Sequence, residues 1–330
     1  MNKNILFWEY FKEWVALYKE GAIRQVTLGK YHLTLKRLTE IAPILKLKDL
    51  DKRTYQGLIN EYAKTHERAT TMDWHHHLKS CILDAMDEGY IKVDPTRKVI
   101  IKGKPPSTTK KPKFLSHQEL QTLLGALDLR FNYEPVKSLN GKEYIAAHWD
   151  WLLLVIAKTG LRFAEVLGLT SDDIDLENRI IRVNKTWNYK GGGGFTETKN
   201  KSSVRTILID DGLASQLSKL MSTFPDPSTP IFVRGRVFNS IVNLHLQTVC
   251  ERAGVPIISV HSLRHTHASV LLHAGVSIAS IAKRLGHANT TTTQEVYLHI
   301  IKELEVKDNT KIVEAITALG GDDIHVRQAI

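Results

Sequence analysis

A chain of 330 residues, 42% hydrophobic and 24% charged, has the balance of an ordinary globular protein and length enough for two domains. Its formal net charge of +10 calls for a polyanionic partner, and two cysteines far apart in sequence, Cys81 and Cys250, argue against a disulfide framework and for a reducing compartment. No stretch approaches the roughly 18 uninterrupted apolar residues of a membrane span, and no signal peptide is visible, so a cytoplasmic protein without a membrane partner is expected.

The charge is unevenly placed. Residues 1–113 hold 22 Lys+Arg against 13 Asp+Glu, whereas the remainder holds 23 against 22. Non-specific grip on a phosphate backbone therefore falls to the N-terminal third. Four helices are predicted there. The first, over 4–20, spaces Phe7, Phe11, Trp14 and Tyr18 at three- and four-residue steps. The second, over 24–39, lines one face with Leu28, Tyr31, Leu35 and Leu38 and leaves Arg24 and Lys30 outside. Asp51 caps a third at 52–65, and a fourth spans 70–88. The aromatics read as core, and the outward Arg24 and Lys30 as phosphate contacts. His75, His76 and His77 point about 100° apart on a helix, so they cannot converge on one metal ion. A small all-helical domain over 1–101 with a basic outer surface is the expectation.

Residues 102–113 carry prolines and five lysines with almost nothing to bury. They read as a stiff cationic linker, a strap whose Lys104, Lys110, Lys111 and Lys113 are placed to touch the phosphates of a polyanion. Beyond it, Ser116 and Glu119 form a capping box. An apolar helix at 145–159 is expected to fill the centre of a second domain over 114–308. Gly160 turns the chain, Arg162 opens the next helix and Glu165 lies one turn on. Strands at 179–184 and 203–209 flank a loop with four glycines at 191–194. Helices at 211–222 and 236–253 follow.

The stretch from His261 to Tyr297 is the most informative. His261 and Arg264 lie three residues apart on one helix face, able to converge on a single anion. Gly275 and Gly286 divide the run into helices at 262–273, 277–285 and 291–300, the last capped at or near Thr290 and carrying Tyr297. An amphipathic segment at 310–319 lies in a C-terminal tail over 309–330. Two histidines, an arginine and a tyrosine without paired carboxylates suggest chemistry on phosphate by charge and proton transfer, with neither metal nor cofactor.

His261-x-x-Arg264, the Leu285-Gly286-His287 step, Tyr297 and the upstream Thr159-Gly160-Leu161-Arg162-Phe163-Ala164-Glu165 together resemble the signature of the tyrosine recombinases, or phage integrase family. The resemblance covers roughly 114–300. It implies a mainly α fold with a small antiparallel β-sheet, in which a four-helix core-binding domain is joined by the basic linker to a catalytic domain. It also implies a site-specific DNA recombinase, acting in the integration or excision of a phage or other mobile element. Strands would be cut and rejoined through a 3′-phosphotyrosine without metal or ATP. A homotetramer on double-stranded attachment sites in a bacterial cytoplasm, at the nucleoid when bound, is expected, with DNA-bending and directionality proteins as further partners. In relatives the terminal helix docks on a neighbouring subunit, and that is the expectation for 309–330. Many mobile-element integrases begin with an additional arm-binding domain. Here the chain opens on the core-binding helices, so either simple sites or loss of that domain is expected.

The chemistry suits the residues. A phosphodiester's pentacoordinate transition state concentrates negative charge, and planar, permanently cationic guanidiniums fit it best. Arg162 and Arg264 take that role, with Glu165 orienting a neighbour. Tyr297 is the nucleophile; a phenol with a reference pKa of about 10 needs a cationic pocket and a proton acceptor. His261 is placed to exchange its proton and His287 to donate to a non-bridging oxygen, although the sequence does not fix which histidine does which. The family protonates the leaving oxygen with a hairpin lysine, which Lys199 matches better than Lys201. His265, His267, His273 and His299 are expected to pack or to support the catalytic groups from behind, not to act themselves. The competing readings are relaxation of DNA in the manner of type IB topoisomerases, a catalytically silent DNA-binding relative, and a metal-dependent nuclease built on His261, His265 and His267.

Overall fold

The computed structural model describes residues 4–105, 112–129, 135–137, 143–145, 149–198, 200–222, 228–233, 236–291, 293, 294, 297, 312–314, 316 and 317. It divides into two compact units, Met1–Lys110 and Lys111–Ile330, mainly helical with a small antiparallel sheet in the second.

The first unit holds α1 (Phe7–Tyr18), α2 (Gln25–Ile41), α3 (Lys52–Ala63) and α4 (Arg68–Asp87). The aromatic spacing of α1 buries Phe7, Phe11 and Trp14, whereas Tyr18 stays exposed. Three polar contacts tie α1 to the end of α4: the Trp14 indole donates to Asp84 at 2.6 Å, and the Tyr10 and Tyr18 hydroxyls donate to Glu88 at 2.9 and 3.3 Å. Asp51 caps α3 by accepting from the Thr54 amide at 2.7 Å. The three consecutive histidines part company. His75 is buried with its Nδ1 2.8 Å from the Tyr55 hydroxyl, His76 is exposed, and His77 stacks on Tyr31 and meets the Thr34 hydroxyl at 2.8 Å. Among the described residues no cluster of three His, Cys, Asp or Glu could hold a metal ion. Arg24 and Lys30 are exposed.

The expected free strap does not begin at residue 102. The Lys104 amide donates to the His66 carbonyl at 2.9 Å, pairing with the start of α4. A Cβ on Gly103 would lie 2.1 Å from the Arg68 nitrogen, so only glycine lets the two backbones approach this closely. Gly103 and Lys104 therefore belong to the first unit's packing. Lys104 and Lys113 are exposed, and Lys110 and Lys111 lie outside the described residues.

In the second unit, α5 (His117–Gly125) opens with the predicted capping box: Ser116 accepts from the Glu119 amide, and Glu119 accepts from the Ser116 amide. A short hairpin follows, β1 (Pro135–Lys137) antiparallel to β2 (Glu143–Ile145). The helix expected from 145 starts later, as α6 (Trp149–Thr159), because Glu143–Ile145 is spent on that hairpin. From Trp151 to Ala157 every residue of α6 is buried, which is what a helix apolar on all sides requires. Next come α7 (Phe163–Leu167), β3 (Ile174–Asp175), β4 (Ile180–Val183), β5 (Lys185–Trp187), β6 (Phe195–Glu197) and β7 (Arg205–Leu208). The sheet runs β3-β4-β7, all antiparallel, with Ile181 opposite Ile207 on the buried face. The predicted glycine loop is the tip of a second hairpin, in which Trp187 faces Phe195 across β5 and β6. Helices α8 (Asp211–Met221), α9 (Asn239–Ala253), α10 (Val260–His273) and α11 (Ile278–Leu285) complete the unit, with α10 packed on α6. Described residues 291, 293, 294 and 297 are helical, as are 312–314, 316 and 317; the rest of the predicted 291–300 and 310–319 helices lies outside the described residues. No helix among the described residues is long and apolar enough to cross a membrane.

Candidate active site

Two helix ends in the second unit supply the acceptors around which the site is built. Gly160 follows α6 with φ +70°, and Gly286 follows α11 with φ +68°, both in the left-handed region that favours glycine at a helix end. Arg264 rises from α10 between them. Its Nη1 donates to the Gly160 carbonyl and its Nη2 to the Leu285 carbonyl, each at 2.6 Å. Arg162, the N-cap of α7, donates through Nη2 to the next carbonyl, Gly286, at 2.8 Å. The two guanidiniums thus sit on consecutive peptide carbonyls, although they are 102 positions apart in sequence. Carbonyls at a helix C-terminus carry partial negative charge, so they hold cations without neutralising them.

Arg264 is 3% exposed, and burial followed by the charge of Arg162 draws its pKa down to about 9, still protonated at neutral pH. Glu165 is the anion here. Its Oε1 accepts from Arg162 Nη1 at 2.7 Å and its Oε2 from the Arg162 amide at 2.9 Å. Burial alone would raise this carboxyl, but hydrogen bonds from Arg205 and the charges of Arg205 and Arg162 outweigh it and hold the group ionised.

Tyr297 is 2% exposed, its ring against Ala268, Leu272, Ile281 and Leu285. Its hydroxyl does not face that apolar packing: it lies 3.0 Å from Nδ1 of His265. Burial pushes the phenol up to about 12, opposed by Arg264, whose field reaches it. The hydroxyl's partner is therefore His265, which sequence alone assigns to packing or a supporting role, and not His261. The two imidazoles stack edge to face at 4.7 Å, one helical turn apart on α10. His261 is exposed; partial desolvation and then Arg264 and Arg162 disfavour its protonated form. Burial and then its neighbours, His261 first, draw His265 down to about 4. His287, just past α11, shares a 2.7 Å hydrogen bond with the Thr293 hydroxyl; burial and then Arg264 and Arg162 take it to about 4. Three neutral imidazoles thus surround two cations.

Lys199 lies outside the described residues; Asn200 beside it accepts from the Ser203 hydroxyl, and Lys201 is exposed. His267 turns away from the site, its Nδ1–H donating to the Ala157 carbonyl at 2.9 Å while Nε2 accepts from Arg284 at 2.9 Å. Sequence alone singles out neither Arg205 nor Arg284. Both are charged groups held by backbone carbonyls of elements distant in sequence, which no local pattern announces.

The phage integrase family model matches residues 113–303. The chain belongs to the phage integrase family. It is 27% identical to the tyrosine recombinase XerC-like protein of Caldanaerobacter subterraneus over 83% of this chain and 71% of that one. It is 25% identical to the integrase of Staphylococcus phage L54a over 95% and 94%. In fold it resembles the Tn1549 transposon integrase solved with a circular intermediate DNA, with a TM-score of 0.70 at 17% identity, covering 89% of this chain and 95% of that one. The lambda integrase dimer on a core site gives a TM-score of 0.61 at 15% identity over 89% and 78%. The protein is accordingly a tyrosine site-specific recombinase, as its sequence signature implies.

Proposed function

We propose that this recombinase carries out integration or excision of a mobile element, with Tyr297 as nucleophile and Arg162 and Arg264 on the scissile phosphate. The observation that carries this is the seating of both guanidiniums on the consecutive carbonyls of Leu285 and Gly286, with Arg264 within electrostatic reach of the Tyr297 hydroxyl. The guanidinium faces not used by carbonyls bind the non-bridging oxygens. The Tyr297 oxygen bonds to phosphorus as the bond from phosphorus to the 5′-oxygen breaks, and the departing oxygen takes its proton from Lys199. The phenol proton passes to the histidine pair: His265 holds the hydroxyl at rest and His261 takes the solvent side. His287 donates to a non-bridging oxygen. The covalent 3′-phosphotyrosyl link conserves the bond energy, so a new 5′-hydroxyl can reverse the step without ATP.

Tyr297 begins packed in an apolar nest, so attack requires its helix to shift. Phosphate bound to the two arginines cancels part of the cationic field that would otherwise lower the phenol's pKa, so proton removal and attack are expected to be concerted. The four-helix unit and the lysines at 104, 110, 111 and 113 grip the duplex, with Arg24 and Lys30 on phosphates. Tetramer assembly, subunit docking of the 309–330 segment, the cytoplasmic setting and accessory proteins all follow from the same reading.

The test is a suicide DNA site incubated with the protein in EDTA. A denaturant-resistant adduct that is lost in Tyr297→Phe, with DNA binding retained, is the expected outcome. Strand exchange between two sites separates recombination from relaxation alone. Cleavage that appears only with added metal, or an adduct that survives in Tyr297→Phe, would overturn the proposal.

A further inference from the structure

Arg205 opens β7 opposite Val183, a strand position that would ordinarily turn a long cation to solvent. Instead its side chain is only 5% exposed, and every part of the guanidinium is engaged. Nε donates to the Arg284 carbonyl at 2.6 Å, Nη1 to the Ser203 carbonyl at 2.8 Å and to Glu165 Oε1 at 3.2 Å, and Nη2 to Glu165 Oε2 at 2.9 Å. The Glu165 side chain, 1% exposed, is therefore forked by Arg205 while it also holds Arg162.

The charge count gives this arrangement its meaning. With Glu165 alone, Arg162 would be half of a neutral pair whose carboxylate is buried, with little field left for an anion. A second guanidinium on the same carboxylate leaves the trio one positive charge in excess, and Arg264 adds another. The three cations cannot relax apart, because backbone carbonyls hold each of them. Arg205 also fixes the end of α11 through the Arg284 carbonyl, and that end delivers the Gly286 carbonyl to Arg162 and places His287. The segment from Thr198 to Ser203, just ahead of Val204 and Arg205, includes Lys199, the proposed donor to the leaving oxygen. One side chain thus ties together the carboxylate, the α11 terminus and the lysine-bearing loop.

We propose that Arg205 is a positioning residue of the strand-cleavage site: it neutralises Glu165 so that Arg162 keeps its charge and its aim for the scissile phosphate. It touches no substrate. This inference rests on the recombinase reading, and the experiment separates the two.

Single-turnover adduct formation on a suicide site is measured beside affinity for the uncleaved site and thermal melting, in wild type, Arg205→Met, Arg205→Lys, Glu165→Gln and the double variant Arg205→Met/Glu165→Gln. Arg205→Met is expected to slow adduct formation on the order of 100-fold while affinity stays within about 3-fold, as for loss of a group acting on the transition state. Arg205→Lys, which keeps the charge and loses the fork, recovers part of the rate. The double variant removes the charge that Arg205 was countering, and is expected to cleave at least about 10-fold faster than Arg205→Met, a coupling that packing alone would not give. A double variant no faster than Arg205→Met, or an Arg205→Met protein that cleaves at the wild-type rate, would overturn the inference. Should Arg205→Met fail to fold, Arg205→Lys decides: a rate as low as that of Arg162→Ala would refute the charge argument. A wild-type protein that forms no adduct would sink the recombinase reading itself.

Discussion

Gly160→Ala isolates the link between backbone geometry and catalysis. The residue sits at φ +70°, where a side chain with a Cβ costs about 1–2 kcal/mol. That Cβ would lie 2.7 Å from His267 Cδ2 and 2.8 Å from Leu285 Cδ2, inside contact distance of two buried groups. Neither neighbour is a loose end: His267 is hydrogen-bonded at both ring nitrogens, and Leu285 is the last residue of α11, whose carbonyl holds Arg264. Overpacking of this kind costs about 1–3 kcal/mol, so the second unit is expected to lose about 2–5 kcal/mol in all. The Gly160 carbonyl also moves, and with it the other anchor of Arg264. A displacement approaching 1 Å at a substrate-aiming group slows chemistry on the order of 100-fold. Urea unfolding reports the first number, and single-turnover adduct formation under conditions where the variant is folded reports the second. Stability within about 0.5 kcal/mol of wild type would refute the packing argument. Full destabilisation with an unchanged cleavage rate would show instead that the carbonyl does not aim Arg264.

Acid should weaken the second unit through His267. Burial and then Arg284 draw that imidazole down to about 3, whereas the unfolded group titrates near 6.5. Between those values the unfolded chain binds the extra proton, so stability is complete above pH 6.5 and falls as the pH drops toward 3. At pH 5 the loss from this one group is about 2 kcal/mol, seen as a fall in urea midpoint from pH 7.5 to 5 that His267→Gln reduces. In the first unit, Asp84→Ala leaves the buried Trp14 indole without its acceptor and should cost about 1–3 kcal/mol, read from the first unit's unfolding, with adduct chemistry per bound complex unchanged. Replacing Lys110, Lys111 and Lys113 by Ala should flatten the dependence of log K on log salt by about 0.9 for each phosphate that is no longer neutralised, and a slope equal to wild type would remove the strap from the DNA interface.

The sequence is most legible where one residue's role follows from its near neighbours. Spacing in α1 places Phe7, Phe11 and Trp14 in a core, and Asp51 and Ser116 announce helix starts that the backbone obeys. The start of α6 is hidden because Tyr144 and Ile145 read continuously into the apolar run that follows, and periodicity cannot divide such a run between a strand and a helix. His265 carries a usable signal that its assignment to packing or support leaves unused: it lies four residues from His261, on the face of α10 that meets Tyr297. Arg205 carries none. In an alternating strand it looks like any outward cation, and its partner Glu165 lies forty positions earlier on a different element. Contacts of that range are fixed by tertiary packing, which local pattern does not encode.

The way the site stores its charge yields a last prediction. Most buried cations are stabilised by an anion and leave no field behind. Here Arg264 is held by two carbonyls, Arg162 by a carbonyl and a carboxylate shared with Arg205, and the neighbouring imidazoles are driven to their neutral forms. The folded protein therefore carries an uncompensated positive excess that a tetrahedral dianion can relieve, whereas the unfolded chain offers no such site. Inorganic phosphate should stabilise the second unit by linkage, about 2.7 kcal/mol at a hundred times its dissociation constant. Phosphate also stabilises proteins generally by exclusion from their surface. The informative quantity is thus the difference in melting shift between wild type and Arg264→Met, each referred to chloride at equal ionic strength. A phosphate-dependent shift of the same size in both proteins would mean that the guanidiniums are satisfied at rest, and that the site holds no field in reserve for a phosphodiester.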